Sequence, residues 1–229
     1  MGYLIAFDGI DASGKTTQAK ILEKKLRESG KEILYLTFPV YESESSSLVK
    51  LYLNGNLGKN PADVNAYAAS SFFAADRYIS YINGWKEFYE KENSIILANR
   101  YTTANAVHQL AKLKETEWDK FLDWLYDYEF EKLRIPKPDL TVLFDMHYDV
   151  SIKLIEKRAQ ETQVKKDIHE TNFEYIRQSY DAGKYAANYL GWERIICYKK
   201  DETGILIPKT QEEISKNLYD LVIGEIKNI

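Results

Sequence analysis

Apolar residues gather in five short runs along the chain, and each run is five or six residues long. The runs are rich in Val, Ile, Leu, Phe and Tyr, which is typical of strands buried in a sheet. Helical stretches separate them, and this alternation favours an α/β fold with a parallel sheet. The predicted strands cover residues 3–8, 33–38, 94–98, 140–145 and 194–198.

Helical periodicity fills the intervals between the runs. Ala19, Leu22 and Leu26 recur at helical spacing after the first run, and Gly30 follows as a stop signal. Further helices are predicted over 48–53, 62–89 with a candidate break at Asn83-Gly84, 103–133, 150–158, 173–190 and 211–226. Within the helical region 103–133, five large apolar residues predict either core or a dimer interface. They are Trp118, Phe121, Leu122, Trp124 and Leu125.

Residues 159–170 interrupt the regular pattern because they are polar and lack apolar anchors. This composition is typical of a mobile loop that closes over a bound ligand. We therefore predict a single domain over residues 1–229, with a lid segment at about 159–170.

The loop after the first strand has the spacing of a phosphate-binding loop. Gly9 is followed by four residues and then by Gly14, Lys15 and Thr16. The glycines let successive backbone N–H groups surround phosphate oxygens at a helix N-terminus. Lys15 is predicted to reach the β- and γ-phosphates of a nucleoside triphosphate, and the Thr16 hydroxyl to join the shell of Mg²⁺. The fold class is therefore a P-loop NTPase-type five-stranded parallel sheet with helices on both faces.

Other candidate binding residues follow the second and third strands, at the sheet edge where ligands bind in such folds. Phe38 and Tyr41 either face a pocket or cap the core. Arg100 follows the third strand, where it either holds a second phosphate bidentately or lies in a solvated loop. Arg77 lies among small and aromatic residues, so it either serves a ligand or forms a surface ion pair.

Charge and composition narrow the class of protein. The 229 residues carry a net charge of −4, which argues against nucleic acid as the main partner. The single cysteine, Cys197, lies in an apolar run and is expected to be a buried hydrophobe. One cysteine and the absence of a leader or membrane-length apolar run predict a cytoplasmic protein without a membrane partner.

The ordered set of motifs resembles the thymidylate kinase family of P-loop kinases. The resemblance covers most of the chain, and its motifs are the loop 7–17, Phe38-Pro39, Phe73 to Arg77, Asn99-Arg100-Tyr101, Gln109, Pro138-Asp139-Leu140-Thr141 with Asp145, and Asp167 to Glu170. It implies transfer of the γ-phosphoryl group of ATP to dTMP, with Mg²⁺ as cofactor. It also implies a homodimer, for which the aromatic helices could supply the interface.

The resemblance also implies a role for each matching residue. Phe73 would stack on thymine and Arg77 would bind its carbonyl edge. Arg100 would hold the acceptor phosphate, and Asp11 would lie near the sugar and the metal's water shell, so the catalytic set is Asp11, Lys15 and Arg100. The donor set is Gly9, Ile10, Asp11, Ala12, Ser13, Gly14, Lys15, Thr16 and Thr17, with Arg158, Lys165 and Lys166. The acceptor set is Asp11, Phe38, Pro39, Tyr41, Phe73, Arg77, Arg100, Ala104, His108 and Gln109.

Several positions depart from the family pattern. Asn99 stands where the family has Asp, and Asp8 replaces its Glu. Tyr41, Ala104 and His108 change the acceptor pocket. The lid offers lysines, which lack the bidentate fork of arginine. Two alternatives therefore stand beside the dTMP kinase: a kinase for another nucleotide or deoxynucleoside, and a nucleotide-binding protein that has lost transfer activity.

Overall fold

The structure is a computed structural model that describes residues 1–162 and 172–226. Its centre is a five-stranded, all-parallel sheet with the order β2-β3-β1-β4-β5. The predicted parallel α/β sheet is confirmed. The strands are β1 Tyr3–Asp8, β2 Ile33–Thr37, β3 Ile95–Asn99, β4 Leu140–Asp145 and β5 Glu193–Ile196.

Helices follow each of the first four strands in the chain, and a last helix follows the fifth strand. They are α1 Lys15–Glu28, α2 Ser47–Leu53, α3 Ala66–Ser80, α4 Lys86–Tyr89, α5 Thr102–His108, α6 Trp118–Tyr126, α7 Tyr148–Thr162, α8 Phe173–Leu190 and α9 Gln211–Ile226. Two π-helical turns, Tyr81–Trp85 and Asp127–Lys132, follow α3 and α6. The predicted break at Asn83-Gly84 falls inside the first of them. None of the helices in the described ranges could span a membrane.

Alternate residues of β1 pack on opposite faces of the sheet, as the two-residue period of a strand requires. Ile5 and Phe7 join a cluster with α1 and α9 on one face. Leu4 and Ala6 join a cluster on the other face, which contains Trp85 and Tyr101. The sheet is therefore covered by helices on both sides, and its central strands are inaccessible to water.

The aromatic stripe of α6 lies in the core. Trp118, Phe121, Leu122 and Leu125 are all buried, and they pack against α5 and α8. Of the two predictions for this stripe, core is correct for these four side chains, whereas Trp124 is only partly buried. Cys197 is buried as predicted, and burial raises the pKa of its thiol to about 12.

Two predictions of local structure were wrong. The helix α7 continues to Thr162 instead of ending at residue 158. The rest of the segment predicted as a lid, about 159–170, lies outside the described residues, so the lid stays a prediction. The fifth strand ends at Ile196, and a two-stranded antiparallel hairpin follows it. The strands of this hairpin are β6 Tyr198–Lys200 and β7 Leu206–Pro208.

Candidate active site

The carboxyl ends of β1, β2 and β3 bring the predicted site residues to one edge of the sheet. Phe7 of β1 and Thr37 of β2 both pair with Asn99 of β3. Asp8 therefore leads into the phosphate loop beside the segment Phe38-Pro39 and beside Arg100. Sequence positions about 30 and 90 residues apart become neighbours because the strands are parallel and in register.

The phosphate loop has the backbone that its glycines predict. Gly9 has φ +149°, and a Cβ there would lie 2.6 Å from the carbonyl oxygen of Phe144. Gly14 has φ +85° and precedes the first residue of α1. The loop therefore curls tightly at both ends, with the N-terminus of α1 behind it.

Lys15 lies folded over this loop, and its side chain is almost fully buried. Its Nζ donates to the carbonyl oxygen of Ile10 at 3.3 Å and lies 3.9 Å from Oδ1 of Asp11. The ammonium group thus stays at the loop, where a triphosphate would need it. Ser13 is also buried, and its Oγ has no hydrogen-bond partner among the described residues.

Asp8 is a fully buried carboxylate at the base of the loop. It accepts hydrogen bonds from the backbone N–H of Gly9 at 2.9 Å and from Thr103 Oγ1 at 2.7 Å. Burial raises the pKa of Asp8, and the charges of Arg100 and Lys15 oppose that rise. The carboxylate fixes the start of the loop to α5, which carries one wall of the neighbouring cleft.

That cleft contains every residue predicted for the acceptor. The space within it, including its open mouth, is about 510 Å³. Its walls come from the phosphate loop, the segment after β2, α2, α3 and the start of α5. The lining residues are Asp11, Phe38, Pro39, Tyr41, Leu53, Phe73, Arg77, Arg100, Ala104, Asn105, His108 and Gln109.

Arg100 connects this cleft to the phosphate loop. Its Nη2 donates to Oδ1 of Asp11 at 2.5 Å, and its Nη1 donates to Nε2 of His108 at 2.7 Å. Arg100 has φ +66°, a left-handed conformation that strains a residue with a side chain. Its backbone N–H is held by the carbonyl oxygen of Phe7 at 2.9 Å. The guanidinium therefore lies between the phosphate loop and the cleft.

Arg77 forms an ion pair, but not at the surface. Only 1% of the residue is exposed, and its Nε and Nη2 donate to the two carboxylate oxygens of Glu129 at 2.7 and 2.5 Å. Its Nη1 donates to the carbonyl oxygen of Tyr101 at 3.2 Å. The alternative of a surface ion pair for Arg77 is wrong.

Phe73 and the Phe38-Pro39 segment form apolar parts of the cleft wall. The Phe73 ring meets Tyr52 edge-on, with ring centroids 6.2 Å apart. Asp76 holds the segment after Pro39 by accepting the N–H of Val40 at 2.9 Å. A flat ring would therefore have an aromatic face and a fixed loop beside it.

Comparison with known proteins decides the family of this chain. A family model described as thymidylate kinase matches residues 7–188. The chain belongs to the thymidylate kinase family. It is 31% identical to the thymidylate kinase of Mycobacterium tuberculosis over 160 residues, which cover 69% of this chain and 72% of that protein. It is 28% identical to a probable thymidylate kinase of Pyrococcus horikoshii, over 72% of this chain and 75% of that protein.

A solved thymidylate kinase structure shares the fold. The structure of the Candida albicans thymidylate kinase aligns with a TM-score of 0.68 at 20% identity, and covers 99% of this chain and 93% of that one. The predicted P-loop NTPase-type fold and the predicted family are therefore confirmed, and this chain is a nucleoside monophosphate kinase.

Two residues that line the cleft were missed by the sequence analysis, the apolar Leu53 and the polar Asn105. The Nδ2 of Asn105 donates to the carbonyl oxygen of Ser70 and to Oε1 of Glu129, each at 3.3 Å. Both amide hydrogens are used, so the oxygen Oδ1 is the group that remains for a ligand. Asn105 lies in a fully helical segment without motif character, and only its polarity on a buried helix face could have indicated it.

The structure describes only some of the other residues predicted to bind the phosphoryl donor. Arg158 is an exposed residue of α7. Lys165 and Lys166 lie outside the described residues. Thr16 and Thr17 are exposed at the start of α1, on the solvent side of the loop.

Proposed function

We propose that this thymidylate kinase transfers the γ-phosphoryl group of ATP to dTMP and releases ADP and dTDP. The observation that carries the proposal is the shared position of Asp11. It lies 3.9 Å from the ammonium of Lys15 on the donor side and 2.5 Å from the guanidinium of Arg100 on the acceptor side. Two phosphates held by these cations would meet at one point, and phosphoryl transfer depends mainly on such alignment and charge neutralisation.

The polar groups of the cleft match the edge of thymine. Arg77 can only donate hydrogen bonds, and Asn105 has an oxygen left to accept one. Thymine presents a carbonyl oxygen next to an N–H group, which is the complementary order. Cytosine presents an amino group next to an unprotonated nitrogen, so both of its contacts would be mismatched. These two residues support a thymine-containing acceptor.

The residues at Thr16 fit a magnesium ion. The Thr16 hydroxyl oxygen accepts a hydrogen bond from Nδ2 of Asn99 at 3.0 Å and retains a second lone pair. The Oδ1 of Asn99 is buried and has no hydrogen-bond partner in the described part of the chain, so it could accept from a metal-bound water. No cluster of three His, Cys, Asp or Glu residues occurs in residues 1–162 and 172–226. We infer that Mg²⁺ arrives with ATP and is held by phosphates, water and Thr16.

The remaining features of the proposal concern the whole chain. We propose that it forms one kinase domain, in which Arg158, Lys165 and Lys166 supply positive charge to the donor. We propose a homodimer, whose candidate interface is the exposed apolar group Tyr78, Ile79 and Ile82 near the end of α3. We propose a cytoplasmic location, because a single cysteine cannot form a disulfide within the chain.

The test is ADP production with Mg²⁺ and ATP when dTMP, dUMP, dCMP, dGMP, AMP and thymidine are offered separately. We expect dTMP to give the highest kcat/KM. A different best acceptor would show that the cleft selects another base or a nucleoside. If no acceptor releases ADP while ATP still binds, the chain is a nucleotide-binding protein without transfer activity. Size-exclusion chromatography with light scattering tests the dimer.

A further inference from the structure

Glu129 is a buried carboxylate that the phosphoryl transfer itself does not use. It is 0% exposed and lies in the π-helical turn Asp127–Lys132. It continues the buried face of α6, four residues after Leu125, at a position where the pattern would place an apolar side chain. A glutamate is rarely buried to this extent unless it is paired. Its environment therefore indicates a specific role.

Four hydrogen bonds satisfy the two oxygens of Glu129. Oε1 accepts from Nη2 of Arg77 at 2.5 Å and from Nδ2 of Asn105 at 3.3 Å. Oε2 accepts from Nε of Arg77 at 2.7 Å and from Oγ1 of Thr102 at 2.7 Å. A carboxylate accepts about four hydrogen bonds. Glu129 thus has no accepting capacity to spare, and its charge is balanced by one guanidinium.

Two of these three partners line the cleft, whereas Glu129 is not among its lining residues. Because Glu129 takes Nε and Nη2 of Arg77, the plane and rotation of the guanidinium are fixed. Because it also takes one hydrogen of Asn105, the amide cannot turn over without placing its oxygen against a carboxylate. The donor and the acceptor that the cleft presents to a base are therefore both set by one residue behind the wall.

We propose that Glu129 is a positioning residue that determines base selection by fixing the donor of Arg77 and the acceptor of Asn105. The inference rests on the proposed function, because it requires that the base lies in this cleft. Without the carboxylate, the Asn105 amide gains freedom to turn and Arg77 loses its counter-charge. The cleft would then discriminate poorly between a carbonyl next to an N–H group and an amino group next to a bare nitrogen.

The test compares Glu129→Gln with the wild type, and uses dTMP and dCMP as acceptors at saturating ATP. The replacement keeps the shape of the side chain but offers one oxygen and one amino group in place of two oxygens. We expect the ratio of kcat/KM for dTMP to that for dCMP to fall about tenfold or more. The KM for dTMP should rise while the KM for ATP stays unchanged. Calorimetric binding of dTMP and dCMP should show the same loss of preference without any turnover.

Glu131→Gln is the matched control, because Glu131 lies in the same turn and is exposed. It should keep the wild-type ratio. If Glu129→Gln does not fold, Glu129→Asp replaces it: the shorter carboxylate keeps the charge but cannot reach both Arg77 and Asn105, and the ratio should again fall. A folded variant with the wild-type ratio, or one that loses kcat equally for both acceptors, would overturn the inference. Wild-type protein that does not prefer dTMP would instead overturn the proposed function.

Discussion

Asn99 donates a side-chain hydrogen to the hydroxyl oxygen of Thr16 across 3.0 Å. Thr16 is the residue that the phosphate-loop motif assigns to Mg²⁺. The resemblance to the family pattern implies an aspartate in place of Asn99, and an ionised aspartate can only accept a hydrogen bond from that hydroxyl. The neutral amide therefore changes both the charge near the metal and the direction of one hydrogen bond.

Asn99→Asp is expected to strengthen the interaction with Mg²⁺. A carboxylate beside Thr16 adds a negative charge close to a divalent cation, so the half-saturating Mg²⁺ concentration should fall about two- to tenfold. The measurement is a Mg²⁺ titration of ADP production, together with Mg²⁺-dependent binding of an ATP analogue. Asn56→Asp, in an exposed loop, is the control for added charge. An unchanged Mg²⁺ requirement would mean that Asn99 does not sense the metal.

Lys15→Ala is expected to reduce kcat by about a hundredfold or more, because it removes the buried cation that we propose stabilises the transferring phosphoryl group. The side chain donates to the carbonyl oxygen of Ile10 at 3.3 Å and lies 3.9 Å from Oδ1 of Asp11, both within the phosphate loop, so the fold should survive its removal. Circular dichroism checks the fold, and Lys20→Ala on the exposed face of α1 is the control. Full activity of Lys15→Ala would refute the donor-site assignment.

The sequence predicted the sheet well because buried parallel strands consist of continuous apolar runs. It predicted which residues would meet in the cleft because the motifs follow strands whose carboxyl ends share one edge. It did not predict the hairpin β6-β7, because β6 contains Lys199 and Lys200 and β7 spans only Leu206–Pro208. It also ended α7 too early, because Ala159, Gln160 and Glu161 favour a helix by propensity without apolar anchors.

The buried polar residues of the site were harder to predict from the sequence than its motifs. Asn105 and Glu129 satisfy each other, and neither matches a motif that the sequence analysis used. The available signal was a charged residue on the apolar face of α6, since Phe121, Leu122 and Leu125 share that face. Which cation would satisfy Glu129 could not be read from the sequence, because Arg77 lies 52 positions away in the chain.

Arg100→Ala is expected to raise the KM for dTMP about tenfold or more and to lower kcat, with a much smaller change in ATP affinity. The reason is that the guanidinium lies at the opening between the loop and the cleft, bonded to Asp11 and His108. Steady-state kinetics with each substrate varied separately, and binding of an ATP analogue, make the measurement. Arg100→Lys keeps the positive charge but lacks the planar guanidinium that can donate two parallel hydrogen bonds, so it should recover only part of the activity. If the affinities for dTMP and for ATP fell equally, Arg100 would be assigned to the ATP site instead.

His108→Phe tests whether Arg100 needs an acceptor in the cleft wall. Nε2 of His108 accepts from Nη1 of Arg100 at 2.7 Å, and phenylalanine keeps the ring but not the acceptor. We expect the KM for dTMP to rise about tenfold, as for the loss of a charged hydrogen bond. His108→Gln, whose amide oxygen can accept, should recover part of the loss. If His108→Phe binds dTMP as the wild type does, the contact does not orient Arg100.

Lys112→Met should change how stability depends on pH. Lys112 is largely buried, and burial lowers the pKa of its amine to about 7, below the usual 10.5. Its Nζ donates to the carbonyl oxygen of Val64 at 3.1 Å and lies 4.6 Å from the centre of the Tyr52 ring. Both contacts favour the charged form, but burial outweighs them. Folding therefore releases a proton from Lys112 between about pH 7 and pH 10.5.

The sign of the effect follows from that proton. A group whose pKa is lowered on folding contributes stability at high pH, and the contribution is lost as the pH falls from 10.5 to about 7. Methionine has no proton to release, so the stability of Lys112→Met relative to the wild type should be greatest near pH 7 and should decline steadily toward pH 10. Urea unfolding at pH 7, 8.5 and 10 measures this difference. The exposed Lys114→Met should show no such slope. A difference between Lys112→Met and wild type that stays constant with pH would contradict the lowered pKa, whatever its absolute size.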